Sequence, residues 1–228
     1  AMLGFQRQFD WDFMKVNPRA SYHVEDWGSQ VRYGSDPNQG PQVAGWPVKT
    51  PDDWLKLDPL DINQGVLGQH LEALRLIAHG LKGEVPFVMT VFTPLSIVAR
   101  LVESEEAFLT HLREHPDKVL YAVEVVTETF QRFARVCLNI GASGLFYATT
   151  SWATYDRLTD EEYERFGRPY DLRLLQGLPL AEFHILHVCR ERNMLRRLAD
   201  YPVAAFNWDT HGADNPSLRE GWDLLNPT

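Results

Sequence analysis

Pro86-Phe87-Val88-Met89-Thr90-Val91-Phe92 is the stretch on which the fold turns. It is short, apolar and β-branched, with no polar residue recurring at every second position. Such a run belongs to a strand covered on both faces. Four more runs share its character, at 12–17, 144–148, 183–188 and 203–208. Between them, apolar residues at spacings of three and four predict helices. The first covers about 64–81, with Leu67, His70, Leu71, Leu74 and Ile77 on one face and Gly80 and Gly83 near its end. Others cover about 94–102, 104–114, 116–140, 159–166, 168–177 and 191–198, and a last one starts near Pro216. Fully apolar strands alternating with helices mean a parallel sheet covered by helices. A barrel and a doubly wound sheet both meet that description. No GxGxxG or Walker-type phosphate loop follows any strand, which weakens the nucleotide-binding version.

The rest of the chain is less regular. Residues 18–49 hold several prolines and glycines without a period and read as a long loop. Thr50-Pro51-Asp52-Asp53 then supplies an N-cap, a first-turn proline and acids on the helix dipole. The opening Ala1-Met2-Leu3-Gly4-Phe5-Gln6-Arg7 lacks the zones of a signal peptide and reads as the inside of an amphipathic helix. The chain is therefore expected to begin partway through a longer protein.

The 228 residues suit a single domain over 1–228, 44% hydrophobic and 12% aromatic. A formal net charge of -9 argues against nucleic acid and against an electrostatic membrane anchor. A small anionic substrate remains compatible, because local arginines bind anions inside acidic proteins. No apolar run reaches the roughly 18 residues that span a bilayer. Two cysteines, Cys137 and Cys189, make no disulfide framework, which points to a reducing, cytoplasmic compartment.

Ligands of parallel α/β folds meet the C-terminal ends of the strands. There the sequence places Asn17, Arg19 and Tyr22 after the first run, and Phe92 and Thr93 after the second. Tyr147, Thr149 and Trp152 follow the third, Arg190 the fourth, and Asn207 and Asp209 the fifth. The most pointed pair is His187-x-Cys189. Alternation along a strand turns both side chains the same way, and an imidazole beside a thiolate suits Zn²⁺. A catalytic zinc takes three protein ligands, and only two are local. The pair also reads as a packed histidine beside a buried cysteine. Asp209 reads as a general acid/base, a substrate acceptor or a helix cap, and Arg19 and Arg190 as carboxylate forks or as surface arginines. Cys137 sits at helical spacing and reads as core. His184 should face away from His187.

Six stretches carry a resemblance: DFMKVNPRASYHVEDWG (12–28), PFVMTVFTPLSIVARL (86–101), GASGLFYATTSWATYD (141–156), FGRPYDLRLL (166–175), ILHVCRERNMLRRLADYPVAAFNWD (185–209) and NPSLREGW (215–222). In that order they resemble the uroporphyrinogen decarboxylase superfamily through nearly the whole chain. The resemblance implies a (β/α)8 TIM barrel lacking the family's first strand and last two, so that about five of eight strands are present. A closed barrel typically takes about 250 residues.

Two chemistries come with the resemblance. Cofactor-free decarboxylases act on uroporphyrinogen in tetrapyrrole synthesis and use an aspartate where this chain has Asn17. The family's tyrosine after the second strand is replaced by Ile97 or Val98, and its serine falls near Thr149. Zinc methyltransferases working with a corrinoid partner protein use an H-x-C pair, matched by His187 and Cys189, with a later cysteine that would lie beyond Thr228. Catalytic roles then fall on Asn17, Tyr147, Thr149 and Asp209. Substrate binding falls on Arg19, Tyr22, Phe92, Thr93, Trp152, Arg190 and Asn207. Zinc-assisted methyl transfer to a thiol ranks first and decarboxylation second. Exposed sheet edges further predict a chain that is poorly stable unless it forms a homodimer.

Overall fold

The computed structural model describes residues 1–36 and 39–226. Five parallel strands form one sheet in the order β1 (Met14–Val16), β4 (Phe87–Phe92), β5 (Gly144–Ala148), β6 (Ile185–Val188) and β7 (Ala205–Trp208). Among the described residues the sheet does not close, and β1 and β7 each pair on one side only. Helices α2 (Gly65–Leu81), α3 (Pro94–Val98), α4 (Glu105–Glu114), α5 (Pro116–Ile140), α6 (Asp160–Phe166) and α7 (Arg168–Gln176) follow β1, β4 and β5. The short α8 (Leu195–Leu198) and α9 (Leu218–Leu225) follow β6 and β7, and α1 (Met2–Phe9) opens the chain.

One face of the sheet meets the helices. Met89, Val91, Leu145, Tyr147, Leu186 and Val188 expose nothing there, and they join Phe130, Phe133 and Ala134 of α5 in one buried cluster. Each such apolar side chain contributes about 1.5–3 kcal/mol on burial. The opposite, inner face is built in layers set by the strand register. Lys15, Val88 and Gly144 form the first layer. Thr90, Phe146, Ile185 and Ala205 form the second, and Phe92, Ala148, His187 and Asn207 the third. This face is buried along its middle and opens to solvent at β1 and β7.

Several elements differ from expectation for identifiable reasons. The fourth strand begins at Ile185 and not at 183, because Phe183 crosses directly over Gly144. A Cβ on Gly144 would lie 1.5 Å from the Phe183 carbonyl oxygen, so only glycine fits. The helix expected over 94–102 stops at Val98, since the Leu101 carbonyl and Val102 are taken by Val48. The one expected from 191 begins at Leu195, after Arg190 and Arg192 in left-handed backbone. Residues 18–49 are more than a loop. They hold two 3-10 turns and an antiparallel hairpin of β2 (Gln30–Arg32) and β3 (Gln42–Gly45). At Thr50 the cap is present, with Asp53 closing the capping box, but it starts a 3-10 helix, Pro51–Lys56.

Between β5 and the helices lies one buried carboxylate. Asp171 of α7 is fully buried and accepts from the hydroxyls of Tyr163 (2.7 Å), Tyr201 (3.0 Å) and Tyr147 (3.4 Å). Burial pushes its carboxyl up to about 7 against the pull of those donors.

Candidate active site on the inner sheet face

His187 and Cys189 turn to the same side, as two-residue alternation requires, and His187 Nε2 lies 2.7 Å from Cys189 Sγ. The other ring nitrogen, Nδ1, lies 2.6 Å from Asn207 Oδ1 in the same layer. An amide oxygen only accepts, so Nδ1 carries the ring proton and Nε2 points its lone pair at the sulfur. Burial lowers the His187 pKa and raises that of the Cys189 thiol, although Arg190, Lys15 and Arg100 pull the thiol back down. Without a metal the pair is a neutral imidazole accepting from a thiol.

Two aromatic rings with cations frame this pair. Phe146 lies 5.1 Å from the His187 ring, and the Lys15 ammonium sits 3.7 Å from the Phe146 centroid. Phe92 is stacked on His23 at 4.0 Å and carries the Arg100 guanidinium 5.0 Å from its centroid. His23 is buried and locked neutral: Nδ1 meets the Ala20 carbonyl and Nε2 accepts from the Phe92 N–H. Thr90 Oγ1, one layer down, is buried without a hydrogen-bond partner.

The structure brings Phe92, His187, Cys189 and Asn207 together, with Asn17 exposed just past the end of β1. It does not bring the other expected residues to this face. Tyr147 points the opposite way, into the helix layer, where it meets Asp171. Thr149 is fully buried, with its N–H and hydroxyl on the His187 carbonyl. Thr93 is buried against Ser96 at 2.7 Å, and Tyr22 donates to the Thr90 carbonyl at 2.7 Å. Trp152 is buried against Phe108. Arg19 is held in a bidentate pair with Glu25, at 2.7 and 2.8 Å.

Arg190 and Asp209 lie past the C-terminal ends of β6 and β7, lining a groove of about 1040 Å³ with Glu105, Arg157 and Glu191. Arg190 Nε donates to Ser151, and Asp209 accepts from the His211 N–H, as a turn cap does. Lys15 and Arg100 had escaped notice in the sequence. The signal was there: each is a lone cation in an otherwise apolar run, Met14-Lys15-Val16 and 94–102.

The donor set fits one side of a zinc site. A nitrogen and a sulfur converge, and the remote ring nitrogen is anchored by an acceptor, the arrangement that orients metal-bound histidines. Among the described residues, no group of three or more His, Cys, Asp or Glu is placed to hold a metal. No helix is long and apolar enough to cross a membrane, among the same residues.

Comparison with known proteins agrees with this architecture. A methyltransferase from Methanosarcina mazei superposes with a TM-score of 0.78 at 20% identity, covering 90% of this chain and 60% of that one. The methylcobamide:CoM methyltransferase MtbA of Methanosarcina acetivorans is 23% identical over 167 residues, 73% of this chain and 48% of that protein. A uroporphyrinogen decarboxylase of Syntrophotalea carbinolica is 26% identical over 210 residues, 89% of this chain and 57% of that protein. The chain spans about half the length of the curated relatives it matches. The family model for uroporphyrinogen decarboxylase matches residues 2–218, and the chain belongs to that family.

Proposed function

We propose that this chain forms five of the eight strands of a (β/α)8 barrel enzyme. In this reading the enzyme passes a methyl group from a corrinoid-bound donor on a partner protein to a small thiol acceptor, in the cytoplasm. The observation that carries the reading is the convergence of His187 Nε2 and Cys189 Sγ with Nδ1 held by Asn207. His187 and Cys189 would hold the zinc ion, and its third protein ligand would come from outside the described residues. Zinc, when bound, holds an acceptor thiol as thiolate at neutral pH. The protein's own part is to keep Nε2 unprotonated, through the Asn207 acceptor, and to shelter the pair against Phe146. Relatives named for methyl transfer from a cobamide support this reading.

Cofactor-free decarboxylation of uroporphyrinogen is the second reading. It is favoured by several relatives that bear that name and by inner-face cations suited to carboxylates. The two readings part on metal. Zinc content of purified protein, measured by elemental analysis for this chain and for a version extended at both ends, is the deciding test. Methyl transfer requires about one zinc per extended chain, lost in His187→Ala and Cys189→Ser. A folded, zinc-free extended protein would move the assignment to decarboxylation.

A further inference from the structure

Cys189 is the first residue past the paired part of β6, whose register ends at His187 on the β5 side and at Val188 on the β7 side. The sheet therefore fixes His187, whereas Cys189 takes its place from the chain that follows it. That chain is strained. Arg190 has φ 75° and Arg192 has φ 48°, and in the segment leaving β7 Asp214 has φ 58°. Left-handed backbone is disfavoured by roughly tenfold for a residue with a Cβ, and it persists where its surroundings hold it.

Asn215 supplies the hold, entering between the segments that leave β6 and β7. Its Nδ2 donates to the Arg190 carbonyl at 2.9 Å and to the Asp209 carbonyl at 2.8 Å, and its Oδ1 accepts from the Asn193 N–H at 2.9 Å. Gly212 keeps the space for that amide, since a Cβ there would lie 2.6 Å from Asn215 Nδ2. The other contacts of Arg190 are longer: Asn193 Nδ2 reaches the same carbonyl at 3.5 Å, and the guanidinium donates to Ser151 at 3.1 Å. The Thr154 hydroxyl and the Ala213 carbonyl pin residues 191 and 192, beyond the turn itself. An amide nitrogen is suited to the task because it donates to two carbonyls at once, which a carboxylate cannot do.

We infer that Asn215 is a positioning residue for Cys189: by holding the Arg190 carbonyl it keeps the turn after the thiol left-handed, and so keeps Sγ on His187 Nε2. The functional meaning of that position rests on the methyl-transfer reading, in which the two residues share a metal. The position itself can be tested without it.

The reporter is the reactivity of Cys189 in metal-free protein. Iodoacetamide alkylates the thiol, iodide leaving as the sulfur–carbon bond forms, and the rate at each cysteine is read by peptide mass spectrometry. Cys137 is fully buried and reports any unfolding. A partly buried thiol reacts slowly, and one released to solvent approaches the rate of free cysteine. Asn215→Ala is expected to raise the Cys189 rate about tenfold. Gly212→Ala, which pushes the same amide aside and leaves Asn215 in place, should act in the same direction. In an Arg190→Gly protein the turn needs no holding, so adding Asn215→Ala there should leave the rate near that of Arg190→Gly alone. Comparing each variant with its own parent cancels the loss of the Arg190 charge. An unchanged rate in both Asn215→Ala and Gly212→Ala overturns the inference, and so does an equal rise with and without Arg190→Gly, the mark of a fold loosened in general. Zinc affinity, read separately by chelator competition in the extended protein, should fall in Asn215→Ala and recover when Arg190→Gly is added. An extended protein that binds no zinc would defeat the methyl-transfer reading, and the alkylation rates would still decide the role of Asn215.

Discussion

Replacing Asp171 by asparagine removes a carboxylate that the fold buries completely between β5 and the helices. In the unfolded chain its pKa is about 3.9. In the folded protein burial pushes it up to about 7, even though three tyrosine hydroxyls donate to it. A gap of about three units corresponds to about 4 kcal/mol. The sign follows from which state holds the proton more tightly, here the folded one. Below about pH 4 both states are protonated and the contribution is fully present. As pH rises toward 7 the unfolded chain ionises while the folded one does not, and stability falls by about 1.4 kcal/mol per unit. Above the folded value the loss is complete.

Asparagine does not titrate, and its amide can both accept from and donate to the tyrosine ring of partners. Urea unfolding of the wild type and Asp171→Asn, followed by far-ultraviolet circular dichroism from pH 4 to 8, isolates the group, since every other carboxylate cancels in the difference. The wild type should lose about 4 kcal/mol relative to the variant across that range. A difference that stays flat, or that grows in favour of the wild type as pH rises, would mean that the tyrosines hold Asp171 ionised and that the burial argument fails.

Other perturbations probe separate parts of the structure. Gly144→Ala should cost about 3 kcal/mol or more, read as a lowered urea midpoint, because its Cβ would meet the Phe183 carbonyl; a midpoint near wild type would mean that the crossing chain is not held there. Thr90→Val, which replaces an unpartnered buried hydroxyl with a methyl of the same shape, should stabilise by about 1 kcal/mol. A loss of that size would instead reveal a bonded hydroxyl. Asn207→Leu takes away the acceptor of His187 Nδ1 and should weaken zinc binding about 10–100-fold in a chelator competition. Unchanged affinity would separate Asn207 from the proposed zinc-holding role of His187 and Cys189.

Much of this was legible in the chain itself. The five apolar runs mark all five strands of the sheet to within two residues; β4 and β5, paired on both sides and covered on both faces, admit almost nothing polar, while the edge strands β1 and β7 carry Lys15 and Asn207 on their open side. The partnership of His187 and Cys189 follows from the two-residue repeat of a strand, a property of the local backbone alone. Which way a strand turns its residues is another matter. In Gly-Leu-Phe-Tyr-Ala both faces are apolar, so nothing in the run says that Phe146 looks inward and Tyr147 toward the helices. That parity is decided by register with β4 and β6 and by the Asp171 hydroxyl cluster.

The hairpin within residues 18–49 was likewise hidden. Its strands are three and four residues long and find each other only by pairing across a gap without periodicity. Lys15 and Arg100 show the limit most plainly. They are 85 positions apart and lie on different elements, and only the register of β1, β4 and β5 sets them on two rings beside one thiol. Local alternation and helical periodicity are written residue by residue. Convergence of distant side chains depends on strand order, register and the packing of helices against one face, and those belong to the tertiary structure.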